Sequence, residues 1–148
     1  MDTSDNVLWL LIQAHRSGRR WVDDAVRSHG VTAAQVGVLN RLAEQPGLSG
    51  AELARSSLIS PQASSLVLET LERRGLVERR PDPAHGRILR NHLTAEGRRL
   101  AAASIAAAVA GEAELLAVLD DDERATLRRL LERLVARTPP GDRERSGA

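Results

Sequence analysis

Apolar residues recur at helical spacing over residues 5–28. Val7, Leu10, Leu11 and Ala14 sit at i, i+3, i+4 and i+7, and Val22, Ala25 and Val26 continue the stripe. Gly18 weakens the middle of this helix, and Gly30 is its natural stop. Thr32 opens a second helix, and Gln35 three residues on completes a capping box. Val36, Leu39, Leu42 and Ala43 form its apolar face, and Pro46-Gly47 ends it. Ser49 and Glu52 repeat the box at the head of a short third helix, with Leu53 and Ala54 facing inward. After a turn over 56–59, Ser60-Pro61 places a cap and then a first-turn proline at the start of a fourth helix. Ala63, Val67, Thr70, Leu71 and Arg74 lie along one side of it, and Gly75 closes it.

The period then changes. Residues 76–80 form a short extended run. Residues 81–86 hold two prolines and a glycine and cannot be helical. Residues 87–93 return as a second strand, giving a hairpin with a long, polar, basic tip. Thr94 caps a fifth helix that runs through an alanine-rich stretch to about residue 119. Asp120 and Glu123 form another box, and Leu127, Leu130, Leu131, Leu134 and Val135 supply the stripe of a sixth helix. The expected fold is mainly α with a small β-hairpin wing. Two short helices, a tight turn between them and a basic hairpin directly after make a winged helix-turn-helix domain. The first helix is apolar beyond one face (Val7, Leu8, Trp9, Leu10, Leu11, Ile12), and the sixth carries more leucine than a peripheral helix needs. That surplus predicts a terminal-helix dimerisation region. The chain divides into an N-terminal dimerisation helix (1–31), the winged domain (32–93), a linking helix with a C-terminal dimerisation helix (94–137), and a disordered tail (138–148).

Composition narrows the chemistry. The 148 residues include no cysteine, which excludes disulfides, thiolate metal sites, thiol catalysis and a cysteine redox switch. The first residues do not resemble a secretory signal, and no run of about 20 apolar residues is present, so a cytoplasmic, soluble protein is expected. All 21 basic residues are arginine. The two aromatics, Trp9 and Trp21, are too few for a single-strand binder that stacks bases. The net charge of +1 hides an asymmetry: residues 73–99 carry eight arginines against three acids, whereas 101–132 carry three against seven. One end of the molecule should attract polyanions.

The fourth helix is the recognition candidate. Ser60, Gln62, Ser64 and Ser65 are small enough at its N-terminal half to let it sit in a major groove about 12 Å wide. Gln62 either pairs with adenine or is a solvated first-turn residue; Ser64 and Ser65 either bond DNA or pack against the third helix. Arg73 could reach phosphate or simply compensate the helix C-terminal dipole. Arg87 leaves the wing tip where a guanidinium enters a narrow minor groove. Arg79, Arg90 and His85 are further wing contacts, although alternation along the strands means that not all can face DNA.

Other chemistry is poorly supported. His15, His29, His85 and His92 lack ligand spacing, and no metal or cofactor is expected. The acids at 120–123 belong to a helix start, and no catalytic constellation appears. Trp9, His15, Arg16 and Trp21, with Gly37 of the second helix, are the lining expected if a small-molecule pocket exists; Arg16, Arg19 and Arg20 could hold an anion there.

The stretch from about residue 32 to 100 resembles the multiple-antibiotic-resistance-regulator (MarR) family of bacterial winged-helix repressors. The likeness rests on Leu71-Glu72-Arg73-Arg74-Gly75-Leu76-Val77-Glu78-Arg79, on the spacing of Pro83 and Arg87, and on Leu93-Thr94-Ala95-Glu96-Gly97. The resemblance implies a homodimer on a pseudo-palindromic duplex, a repressor that a small aromatic or anionic compound releases. His85 stands where the family's wing carries an aspartate two residues before the minor-groove arginine, which implies a less firmly held tip. Leu66 stands where the family often has arginine. A rival reading is a winged-helix module that binds protein rather than DNA.

Overall fold

A computed structural model describes residues 6–57 and 59–137; the tail assigned to 138–148 lies outside them. Helix α1 (Val7–Val26) starts at Asn6, whose side chain accepts from the backbone N–H groups of Leu8 and Trp9, and it runs through Gly18 unbroken. A 3-10 turn (Arg27–His29) follows and stops at Gly30, where φ is +66°. The left-handed backbone costs a glycine little, which is why the chain turns there. Asp23 accepts from the Ala33 N–H at 2.6 Å and so ties the last turns of α1 to the first turn of α2 (Ala33–Glu44).

The expected capping boxes are present at Thr32/Gln35 and Ser49/Glu52, opening α2 and α3 (Gly50–Ser56). Ser60 caps α4 (Pro61–Arg73), accepting from the Ala63 N–H at 3.1 Å, and Gly75 follows its end at φ +70°. The buried line of α4 is Ser64, Leu68 and Leu71, which corrects the predicted line through Ala63, Val67 and Thr70. The core is built where α2, α3 and α4 meet the hairpin: Val36, Val38, Leu39, Leu42, Leu53, Leu68, Leu71, Leu76, Val77 and Leu93 are all buried.

Strands β1 (Val77–Pro81) and β2 (Leu89–Leu93) pair antiparallel, with Val77 opposite Leu93 and Arg80 opposite Arg90. The second strand starts two residues later than expected because residues 82–88 are organised as a separate tip, described below. Helix α5 (Ala95–Leu115) begins at the hairpin's base. There Thr94 accepts from the Gly97 N–H (3.0 Å), donates its hydroxyl to the Gly75 carbonyl (2.7 Å), and donates its N–H to the Leu76 carbonyl (3.1 Å). Gly97 is buried so tightly that a Cβ on it would lie 1.9 Å from the Leu76 carbonyl oxygen.

Residues up to 113 form one compact unit. The second, from 114, contains the end of α5, a 3-10 turn (Leu116–Val118) and α6 (Asp121–Val135), which opens on the Asp120/Glu123 box. The α6 stripe residues Leu127, Leu130, Leu131, Leu134 and Val135 are all exposed, as are Val7, Leu8, Trp9, Leu10 and Ile12 of α1. The absence of a membrane-length apolar segment needs correction. The helical stretch Ala95–Val118 is long and apolar enough to cross a bilayer by length and composition.

Candidate nucleic-acid interface

The second helix of the helix-turn-helix, α4, is fixed on the first by a buried polar contact. Ser64 is 1 % exposed and donates its hydroxyl to the Gly50 carbonyl of α3 at 3.1 Å. Ser64 is therefore turned away from any groove, in place of the DNA contact expected of it. The open face of α4 carries Gln62, Ser65, Leu66, Glu69 and Arg73. Ser65 spends its hydroxyl proton on the Pro61 carbonyl (3.0 Å), and Arg73 makes only a loose ion pair with Glu69 at 3.9 Å. Ser60 is occupied as the cap. Arg74 reaches back to donate to the Gly30 carbonyl at 2.9 Å, which gives that cation a structural task.

The wing tip is organised by Asp82. Its buried carboxylate accepts from the N–H groups of Ala84 (2.8 Å) and His85 (3.1 Å) and from Arg90 Nε at 2.6 Å. Arg90 then bridges onward. Its Nη1 donates to Glu52 Oε2 at 2.9 Å and to the Gly47 carbonyl at 3.4 Å, and Ser49 and Arg90 form an isolated antiparallel bridge. The tip and the head of α3 are thus one hydrogen-bonded unit. Arg90 is consumed by this clamp, which corrects its assignment as a DNA contact. The tip is also better held than the replacement of aspartate by His85 implied.

Electrostatics agree with the geometry. The Arg90 hydrogen bond, followed by the Ala84 N–H, holds the Asp82 carboxyl below the ordinary aspartate range. Glu52 is lowered chiefly by the Ser49 backbone and hydroxyl bonds, with Arg90 and Arg55 adding to it. Asp82 in turn raises Arg90, which stays charged at any working pH. Such charge-assisted bonds are short and strong.

The remaining expected contacts sort by what else holds them. Arg79 is half-buried, with Nε 3.0 Å from Glu72 Oε2, close enough for an ion pair but not aligned as a hydrogen bond; it braces β1 on α4. Arg80 pairs with Glu78 on its own strand. His85 and Arg87 are exposed at the tip, and neither side chain makes a hydrogen bond or ion pair among the described residues. Sequence pattern alone does not single out Asp82 or Glu52 as part of the wing clamp. The Pro-Asp-Pro run is the available signal for Asp82, since an aspartate in a turn accepts from N–H groups two and three residues on. No local signal marks Glu52, which lies 38 residues from Arg90.

The expected ligand lining does not converge within one chain. At about 100° per residue, Trp9, His15 and Trp21 radiate from α1 roughly 120° apart. Trp9 and Arg16 do share a face, and Gln13, Arg16, Ser17 and Arg20 line a shallow hollow of about 330 Å³ on it. Gly37 has open space beside it: a Cβ added there would meet no atom within 4 Å. A larger hollow of about 430 Å³ lies elsewhere, between the end of α2, the hairpin and α5, with Leu42, Leu93 and Ile105 as floor and Arg80, His92 and Arg98 at the rim.

A helix-turn-helix whose second helix is left open, followed by an arginine-tipped hairpin clamped to it, defines a winged-helix transcription regulator. The chain belongs to the MarR family: the MarR family model matches residues 29–88. The HTH-type transcriptional repressor Rv2887 of Mycobacterium tuberculosis is 38% identical over 126 residues, which is 85% of this chain and 91% of that one. Crystal structures of Rv2887 include a complex with DNA (37% identity, TM-score 0.72, covering 86% of this chain and 96% of that one). Another holds p-aminosalicylic acid (35% identity, TM-score 0.74, covering 88% and 98%). A probable transcriptional regulator from Pseudomonas aeruginosa superposes with a TM-score of 0.83 at 32% identity, covering 90% of this chain and 99% of that one. Bordetella bronchiseptica BpsR, whose DNA binding is regulated by 6-hydroxynicotinic acid, gives a TM-score of 0.86 at 25% identity, covering 93% and 99%.

Proposed function

We propose that this protein is a homodimeric, sequence-specific repressor that binds a pseudo-palindromic duplex in the cytoplasm and is released by a small aromatic carboxylate. The reading assigns it no reaction. The observation that carries it is the clamp: Arg90 locks the wing tip to the head of α3 while leaving Arg87 and His85 unpaired and exposed among the described residues. A cation held out on a braced scaffold is arranged for an external anion. Gln62 and Ser65 meet base edges or phosphates from α4, and Arg73 adds phosphate contact at its far end. Residues 32–93 do the reading. The uncovered apolar faces of α1 and α6 are covered by a second copy, which sets two α4 helices roughly 34 Å apart.

The ligand half of the proposal rests on the side of α1 that Trp9 shares with Arg16 and Arg20, an aromatic surface in line with two cations. The compounds held by or regulating the relatives above are aromatic acids of matching chemistry.

The test is selection of duplexes from a random pool, then mobility shift at graded salt. With about four phosphates neutralised per subunit, log K should fall with log salt at a slope near −7. A slope near −1, or no bound duplex at all, would favour the protein-binding reading instead.

A further inference from the structure

On the open face of α4 one side chain does not match its neighbours. Leu66 is 65% exposed, in the middle of a helix whose other leucines, Leu68 and Leu71, are buried on the opposite side. It lies beside Gln62 and Glu69, four and three residues away on the same exposed face, with the exposed Ser65 about 100° round the helix. The polar groups around it are partly spent. Ser65 has donated its hydroxyl proton to the Pro61 carbonyl, and the Leu66 carbonyl itself accepts from the Thr70 hydroxyl at 2.9 Å. Besides the Ser65 oxygen and the Glu69 carboxylate, this part of α4 offers a groove one amide, Gln62, and one isobutyl group.

Of the four bases only thymine presents an apolar group in the major groove, its 5-methyl. We infer that Leu66 reads a thymine methyl, one per half-site, and so determines sequence preference in a way that hydrogen bonding cannot. This rests on the DNA-binding reading above. A neighbouring Gln62 on adenine N6 and N7 would place the contact in an A·T-containing step. Because an isobutyl group donates and accepts nothing, it gains at thymine and forfeits hydrogen bonds at any base that offers only donors or acceptors.

The experiment replaces each thymine of the selected duplex by uracil in turn, which removes the methyl and keeps the pairing. For the unaltered protein, uracil at one symmetry-related position should weaken binding about three- to ten-fold per half-site, the scale of one lost methyl contact. Leu66→Ala should bind the parent duplex more weakly and be indifferent to uracil at that position. Leu66→Met, still apolar, should keep the discrimination. A flat uracil scan would overturn the inference, as would a uracil effect that persists in Leu66→Ala. If the unaltered chain binds no duplex, the regulator reading itself fails, an outcome distinct from a flat scan on a duplex that binds.

Discussion

Gly97→Ala sets two opposing effects against each other at one position. Helix propensity alone favours alanine over glycine in a helix interior by about 1 kcal/mol. The packing opposes it. The new methyl would lie 1.9 Å from the Leu76 carbonyl oxygen and 2.9 Å from its carbon, which are backbone atoms of the neighbouring chain segment. To reach ordinary contact the two segments must part by about 1.5 Å. The Leu76 carbonyl cannot yield freely, because it accepts from the Thr94 N–H at 3.1 Å while Thr94 also holds the Gly75 carbonyl. Overpacking costs about 1–3 kcal/mol and a lost hydrogen bond about 1 kcal/mol more, so the variant should be destabilised by about 1–3 kcal/mol after the propensity gain. At fixed protein concentration the urea midpoint should fall with an unchanged m-value, and Tm should drop by roughly 2–12 °C. Gly37→Ala is the comparison: in α2 with nothing within 4 Å, it should be stabilised by up to about 1 kcal/mol. A Gly97→Ala protein as stable as Gly37→Ala would refute the account of how the hairpin seats on α5.

Acid should attack the wing clamp late. Asp82 and Glu52 titrate lower in the folded chain than in the unfolded one, so the stability they contribute is complete above about pH 5 and is lost as pH falls through the ordinary carboxyl range toward their depressed values. Asp82→Asn should flatten that part of the urea-midpoint profile; an unchanged acid slope would contradict the clamp. Arg87→Ala should weaken duplex binding about ten-fold, most on duplexes with A·T-rich flanks, and Arg90→Ala should weaken it through a loosened tip without lowering the salt slope. Salicylate, as a probe, should quench Trp9 fluorescence and displace DNA, and Arg16→Ala should raise its dissociation constant about ten-fold; equal affinity would remove the α1 face from the ligand reading.

The element order was legible because its signals are local. Each box pairs residues three apart, Ser60-Pro61 is contiguous, and Gly30 and Gly75 announce left-handed stops by identity alone. What could not be read depends on partners far along the chain. Ser64 and Ser65 are adjacent serines with identical propensities, yet one is buried under the Gly50 carbonyl and the other is exposed, and only the approach of α3 decides which. Arg87 and Arg90 look equally basic in the wing, but Glu52 and Asp82 take one and leave the other. The late start of β2 has the same origin, since Asp82 and His85 draw residues 82–88 into their own hydrogen bonds: the Asp82 N–H donates to the Ile88 carbonyl and the Ile88 N–H to the His85 carbonyl, both at 2.8 Å. Leu66 is an intermediate case. Its position on α4 was evident, but its exposure was not.

The hairpin is anchored at both ends, by Thr94 and Gly97 where it joins α5 and by Arg90 where it meets α3. An attachment at one end would let the wing swing like a flap, and a signal could release DNA by bending that flap alone. Held twice, the hairpin shares the fate of the helices it touches. In the proposed release, the wing therefore moves together with α3 and the start of α5 rather than bending alone.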